Sequence, residues 1–167
     1  SRQGFYNAVW PQLEMMKAGR RGEMFPASLV IMDADRFKGI NDKYGHLTGD
    51  KALQKMAGEL RSHARPEDIP SRFSGDEFIL WLPGMTKEQT MEVAKKFQSA
   101  VRTRNFEVAP GKFVALSMSF GVVETRACKL GPGEDVKKIT FRLIEEADVE
   151  LQKEKRKVRG GRRGSRR

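Results

Sequence analysis

Cysteine is nearly absent from this chain. Cys128 stands alone, so no internal disulfide can form and no thiol cluster can hold zinc. The two histidines, His46 and His63, are too few for a histidine metal centre. No apolar run approaches the roughly 20 residues that cross a bilayer, and no signal-peptide pattern opens the chain. Acidic side chains are the minority, 22 against 32 Lys and Arg, for a net charge of +10. That excess is local. Lys153–Arg167 holds nine basic residues and one Glu, a charge of +8, which leaves only +2 for everything before it. Such a segment reads as a basic tail, disordered over 160–167, that attracts polyanions without specificity. No specific nucleic-acid partner is expected.

What is present suits one domain over 1–159, because 167 residues can bury a core without disulfides or structural metal. Phe5, Val9, Leu13 and Met16 are spaced as one face of a helix, begun or kinked at Pro11. Ser28–Met32 reads as a central strand that ends in Asp33-Ala34-Asp35. Phe37–Tyr44 predicts a short helix, Gly45–Gly49 interrupts it, and Leu53, Met56, Ala57 and Leu60 line a second. Apolar segments on either side of Ser74-Gly75 predict a hairpin. Thr86-Lys87-Glu88-Gln89 is a capping box for a helix through Val101. Val114 to Val122 alternate as one strand, with a short strand near Phe106–Ala109, and Val136 to Leu151 mark a last helix. The order favours an α+β fold in which helices cover a sheet containing antiparallel pairs. The ferredoxin-like βαββαβ unit is its natural form.

In that unit the strand ending at Asp33 adjoins the hairpin, so Asp33 can converge with Glu77 or Asp76. Oxygen anions with no imidazole or thiol nearby form a hard site suited to Mg²⁺. The helix start after Asp35 offers free N–H groups to a phosphate, with Lys38 close by. Asn41 and Asp50 carry the donors and acceptors that a guanine edge requires. Each residue also has an ordinary reading: Asn41 as a cap, Asp50 as a solvated side chain, Lys38 as surface charge, and the hairpin acids as a solvated turn.

Three stretches in order carry a resemblance. They are Asp33-Ala34-Asp35-Arg36-Phe37-Lys38-Gly39-Ile40-Asn41-Asp42, Tyr44-Gly45-His46 with Gly49-Asp50, and Arg72-Phe73-Ser74-Gly75-Asp76-Glu77-Phe78. Together they closely resemble the GGDEF family of diguanylate cyclases, here with Ser-Gly-Asp-Glu-Phe at the signature turn. The likeness spans nearly the whole chain, to Ala147-Asp148 and Lys155. It implies a nucleotidyl-cyclase-type fold and an enzyme that joins two GTP molecules into cyclic di-GMP and pyrophosphate.

Residue by residue, the resemblance implies that Asp33 and Glu77 bind metal by side chain and Ala34 by its carbonyl, with Asp76 beside them. The metal would be Mg²⁺, with Mn²⁺ as the alternative. Backbone N–H groups around Arg36 and Phe37, with Lys38, would hold phosphates; Asn41 and Asp50 would read guanine. Lys155 and Arg159 would reach the terminal phosphates. One pocket holds one nucleotide, so a homodimer would bring two together. Arg65-Pro66-Glu67-Asp68 matches the family's RxxD, where Arg65 and Asp68 would bind cyclic di-GMP as feedback inhibitor. The alternative is a weakly catalytic domain that serves as a cyclic di-GMP receptor through the same motif.

The chain departs from the family at four points. Ser74 replaces the usual first Gly, at roughly 1–2 kcal/mol if φ must be positive there. Gln152 replaces a usual Tyr, and Val158 replaces a Gly before Arg159. The family's opening Asp-x-Leu-Thr-Gly-Leu-x-Asn segment does not appear, which implies a fragment of a longer protein with an upstream sensory or receiver domain. Its activity in isolation would be reduced if that segment matters. The fragment is expected to lie in the cytoplasm, where GTP is.

Overall fold

Strand β1 (Ala27–Ala34) is buried along its whole length except at Asp33. In this computed structural model, residues 1–18, 26–127 and 133–161 are described, with side chains through 158. Cys128 and 162–167 lie outside the described residues. Around β1 stand β2 (Ile69–Ser74), β3 (Glu77–Pro83) and β6 (Met118–Glu124), in an antiparallel sheet of order β2-β3-β1-β6. A strand enclosed on both faces needs apolar residues on both, which is why β1 reads as an unbroken run.

Alternate side chains of β1 feed two cores. Val30 and Met32 pack with α2 (Phe37–Tyr44), α3 (His46–His63) and α4 (Lys87–Thr103). Leu29 and Ile31 pack on the other face with α1 (Arg2–Ala18) and α5 (Val136–Gly161). The path β1, α2–α3, β2, β3, α4, β6 is the expected βαββαβ unit, with α1 and α5 closing its back. At the start of α4 the capping box forms as read, with Thr86 and Gln89 bonding each other's backbone.

Several local expectations change. Pro11 sits inside α1, which is already helical from Arg2. The break between α2 and α3 narrows to Gly45 alone, at φ 84°, and His46–Gly49 is the first turn of α3. The alternating stretch from Val114 to Val122 is two strands. β5 (Lys112–Ala115) pairs with β4 (Asn105–Ala109) in a separate hairpin, while β6 joins the main sheet. Alternation cannot reveal a strand that changes sheets at a corner. That corner is pinned where the Asp35 N–H donates to the Ser117 carbonyl at 2.8 Å. Past Leu151, α5 continues to Gly161, two residues into the stretch assigned to the tail.

The seat of α5 is set by Gly121 of β6. A Cβ there would lie 2.0 Å from the Ala147 carbonyl oxygen and 2.4 Å from the Leu151 nitrogen, so the helix backbone rests directly on the strand. Among the described residues no helix is long and apolar enough to cross a membrane.

Candidate active site

Strand alternation decides which acids meet. Asp33 shares a face with Leu29 and Ile31, and Glu77 shares one with Ile79 and Trp81; both faces are the one covered by α5. The register then sets Asp33 directly opposite Glu77. One turn beyond Leu151, α5 delivers Lys155, whose Nζ lies 2.6 Å from Asp33 Oδ1. Burial lifts the Asp33 carboxyl above the ordinary aspartate value. The Lys155 ammonium pulls it down, the charges of Asp76 and Glu77 push it up, and the net shift is upward.

The hairpin turn is Gly75-Asp76, with Gly75 at φ 40°. Ser74 remains in β2, paired with Glu77 after a bulge between Arg72 and Ser74. Arg36 is the only non-glycine residue with positive φ among the described residues, so the strain feared at Ser74 does not arise. Instead the Ser74 hydroxyl donates a hydrogen bond to Glu77 Oε2. Arg72 braces the same turn, donating through Nε to the Gly75 carbonyl at 2.8 Å and through Nη2 to Asp50 Oδ1 at 3.4 Å. The Ala34 N–H donates to the Asp76 carbonyl at 3.2 Å, tying the end of β1 to the turn.

Beyond β1, Asp35 is engaged at both oxygens: Ser117 and Ser119 donate to its two carboxylate oxygens at 2.9 and 2.7 Å. It anchors the corner. Arg36 then takes a left-handed conformation at φ 55°, at a cost on the order of 1–3 kcal/mol. As N-cap of α2 it makes no side-chain cap bond, so the first N–H groups of Phe37 and Lys38 gain no partner from it. Asn41, one turn further, has a buried Oδ1 without a hydrogen-bond partner, packed against Gly49 of α3. Asp50 is exposed, and among the described residues its contact is the long one to Arg72.

Among the described residues no group of three or more His, Cys, Asp or Glu is placed to hold a metal ion. Asp33 and Glu77 stand at one rung of the sheet, and the Ala34 carbonyl comes next in the chain. That set fits Mg²⁺, which takes one or two carboxylates and completes its shell with water and phosphate oxygens. It does not fit zinc.

A family profile described as "Diguanylate cyclase, GGDEF domain" matches residues 3–161. The chain belongs to the GGDEF family. Among curated relatives it is 38% identical over 108 residues to diguanylate cyclase DosC of Escherichia coli K12, covering 65% of this chain and 23% of that protein. The chain thus spans about a quarter of that relative's length. Among solved structures it resembles the GGDEF domain of PA1120 (YfiN or TpbB) from Pseudomonas aeruginosa. The TM-score is 0.78 at 25% identity, over 93% of this chain and 89% of that one. The GGDEF domain of DgcB from Caulobacter crescentus, solved in complex with c-di-GMP, gives a TM-score of 0.73 at 25% identity, over 93% and 84% of the two chains. The mixed α/β fold with its antiparallel sheet is the fold of these GGDEF structures.

Seen as a GGDEF domain, the chain brings Asp33, Ala34, Asp76, Glu77 and Lys155 to one sheet end. Arg36, Phe37 and Lys38 follow directly in the chain, and Asp50 is linked back through Arg72. Arg159 is described in backbone only, one turn beyond Lys155 on α5. The RxxD residues form a closed lock away from the turn. Arg65 Nη2 donates to Asp68 Oδ1 at 2.7 Å and to the Pro83 carbonyl at 2.9 Å, and the Arg65 N–H donates to Asp68 Oδ2 at 2.8 Å. The Asp68 side chain is 2% exposed and that of Arg65 40%. The hydrogen bond to Asp68 raises the Arg65 guanidinium further above its ordinary value. Sequence reasoning gave no role to Arg72, Ser117 or Ser119. A signal was available only for Arg72, which sits inside the motif; the serines act through a corner that alternation concealed.

Proposed function

We propose that this GGDEF domain condenses two GTP molecules into cyclic di-GMP with release of pyrophosphate. The observation that carries the reading is the pairing of Asp33 with Glu77 across β1 and β3, with Lys155 lying on Asp33. Two acids opposed at a sheet end, one already drawing a cation, make a place for divalent metal and triphosphate.

When bound by Asp33, Glu77 and the Ala34 carbonyl, Mg²⁺ (or Mn²⁺) would neutralise phosphate charge and lower the pKa of the attacking ribose hydroxyl. The protein's own part is positioning. The uncapped start of α2 at Arg36, Phe37 and Lys38 receives phosphate oxygens. Lys155, which lies on Asp33 in the structure, would contact the terminal phosphates, with Arg159 as the second basic residue assigned to them. Asn41 offers its unpartnered oxygen to guanine N–H donors, and Asp50 takes the neighbouring edge. In each half-reaction a bond forms between a 3′-oxygen and an α-phosphorus, the bond to pyrophosphate breaks, and the hydroxyl proton leaves to solvent. Closing the ring takes two such steps and therefore two copies of the domain facing each other about a two-fold axis. An upstream sensory or receiver region of a longer, cytoplasmic-facing protein would control that encounter.

Product feedback is assigned to Arg65, whose exposed guanidinium face can meet a guanine edge or a phosphate. Asp68 acts behind it, holding the fork in place, and is too buried to reach a ligand without opening the lock. The acidic positions Asp33, Asp76 and Glu77 are all present, which favours an enzyme with feedback over a receptor alone.

The test is purified protein at increasing concentration with GTP and Mg²⁺, the products separated by chromatography. Cyclic di-GMP formed at a rate rising more than linearly with protein supports the reading. Its absence at high concentration, with folded protein and normal GTP binding, overturns it. Arg65→Ala should relieve inhibition by added cyclic di-GMP at least tenfold; unchanged inhibition removes Arg65 from that role.

A further inference from the structure

We infer that Ser74 is a positioning residue for metal choice: its hydroxyl holds Glu77 as a one-oxygen ligand and so favours Mg²⁺ over Ca²⁺. The inference rests on the reading of Glu77 as a metal ligand and extends it to a residue that a glycine at the same position could not replace.

Three observations carry it. Ser74 and Glu77 are paired residues at the last rung before the turn, so their side chains emerge side by side. The bulge between Arg72 and Ser74 re-aims the chain at that rung. The hydroxyl donates to Glu77 Oε2, while Oε1 has no hydrogen-bond partner among the described residues. One carboxylate oxygen is thus committed and one is free. Both residues are half-buried, so water competes weakly for the bond, and an ionised acceptor strengthens it. A free glutamate side chain has three rotatable bonds and two equivalent oxygens. Here one oxygen already accepts a hydrogen bond from Ser74, and the other is open to a metal.

The chemical consequence follows from the two ions' preferences. Mg²⁺ requires a near-octahedral shell and takes carboxylates through single oxygens at about 2.0–2.1 Å. Ca²⁺ takes 6–8 oxygens at longer range and readily accepts both oxygens of one carboxylate. A donor tied to Oε2 leaves the single-oxygen mode intact and obstructs the two-oxygen mode. Partners behind metal ligands typically change affinity by about 10–100-fold when removed, so the hydroxyl is large enough in effect to set selectivity.

The experiment measures metal binding without turnover. Wild type, Ser74→Ala, Ser74→Gly and Ser74→Thr are each titrated with Mg²⁺ and with Ca²⁺ by calorimetry, in the presence of a non-reactive GTP analogue. Thermal unfolding without metal verifies that each is folded. The ratio of Mg²⁺ to Ca²⁺ affinity should fall about tenfold in Ser74→Ala and Ser74→Gly, chiefly through weaker Mg²⁺ binding, and return in Ser74→Thr, which keeps a hydroxyl. An unchanged ratio in Ser74→Ala beside normal wild-type binding overturns the inference alone. So does a threonine variant that behaves like alanine, since the effect would then be one of packing. Wild-type protein that binds neither ion with the analogue overturns the metal site itself, and the inference with it.

Discussion

Two ion pairs in this molecule look alike on paper and differ in kind. In each, a shielded aspartate meets a basic side chain at 2.6–2.7 Å. Asp68 is surrounded by donors: the Arg65 fork and the Arg65 backbone N–H all point at it, and Arg65 is further tied to the Pro83 carbonyl. Asp33 has Lys155 on one oxygen, while burial and the charges of Asp76 and Glu77 all work against its ionised form. The first pair is satisfied within the fold. The second is left wanting positive charge, which is the condition of a ligand-binding carboxylate.

That contrast can be broken by substitution, and the sharpest break is in activity. Asp33→Asn should lower cyclic di-GMP formation by more than about 1000-fold, read as initial rate at saturating GTP, with the folded state retained by circular dichroism. A residual rate within tenfold of wild type would mean that Asp33 does not bind the metal. Lys155→Met should reduce kcat/KM for GTP by about 100-fold, the order of one lost phosphate clamp, while leaving the unfolding midpoint within a few degrees. Asp68→Ala should do its damage in stability. Taking away the carboxylate of a shielded pair costs up to about 3–5 kcal/mol, discounted here to about 1–3 kcal/mol because Arg65 remains partly hydrated. Urea unfolding should show the loss.

The smallest effect tests the sign of the Asp33 shift. Its carboxyl is raised in the folded protein, so folding favours the protonated form. That contribution is complete below the unfolded aspartate value and is lost as pH climbs through the raised one. In metal-free buffer, Asp33→Asn should therefore be slightly more stable than wild type at pH 7. The advantage should shrink toward zero as pH falls into the ordinary carboxylate range. A growing advantage at low pH would reverse the assignment.

Much of this was legible in advance because it rests on periodicity and short-range chemistry. Ser28–Met32 declared itself as a central strand, the capping box at Thr86 formed as written, and of the two acids open to Asp33, Glu77 or Asp76, antiparallel register sets Glu77 opposite it. The rest depended on where the chain turns in space. Val114 to Val122 kept one alternating pattern while passing from one sheet to another. Ser74 drew attention for a backbone strain that Gly75 absorbs; what mattered was its hydroxyl, and a hydroxyl's partner depends on a bulge that no local pattern announces. Arg65 and Asp68 were read as a ligand site from four letters. The depth of Asp68 came only with the fold.

Gly121 has a consequence at a distance. The α5 backbone lies on β6 with no room for a methyl group, and Lys155 rides the same helix about two turns beyond Ala147. The gap between strand and helix therefore acts as a gauge block for the Lys155–Asp33 pair. Any side chain at position 121 would raise the helix like a shim and carry the ammonium off its carboxylate. The calibration of that sheet end is kept by an atom that is not there.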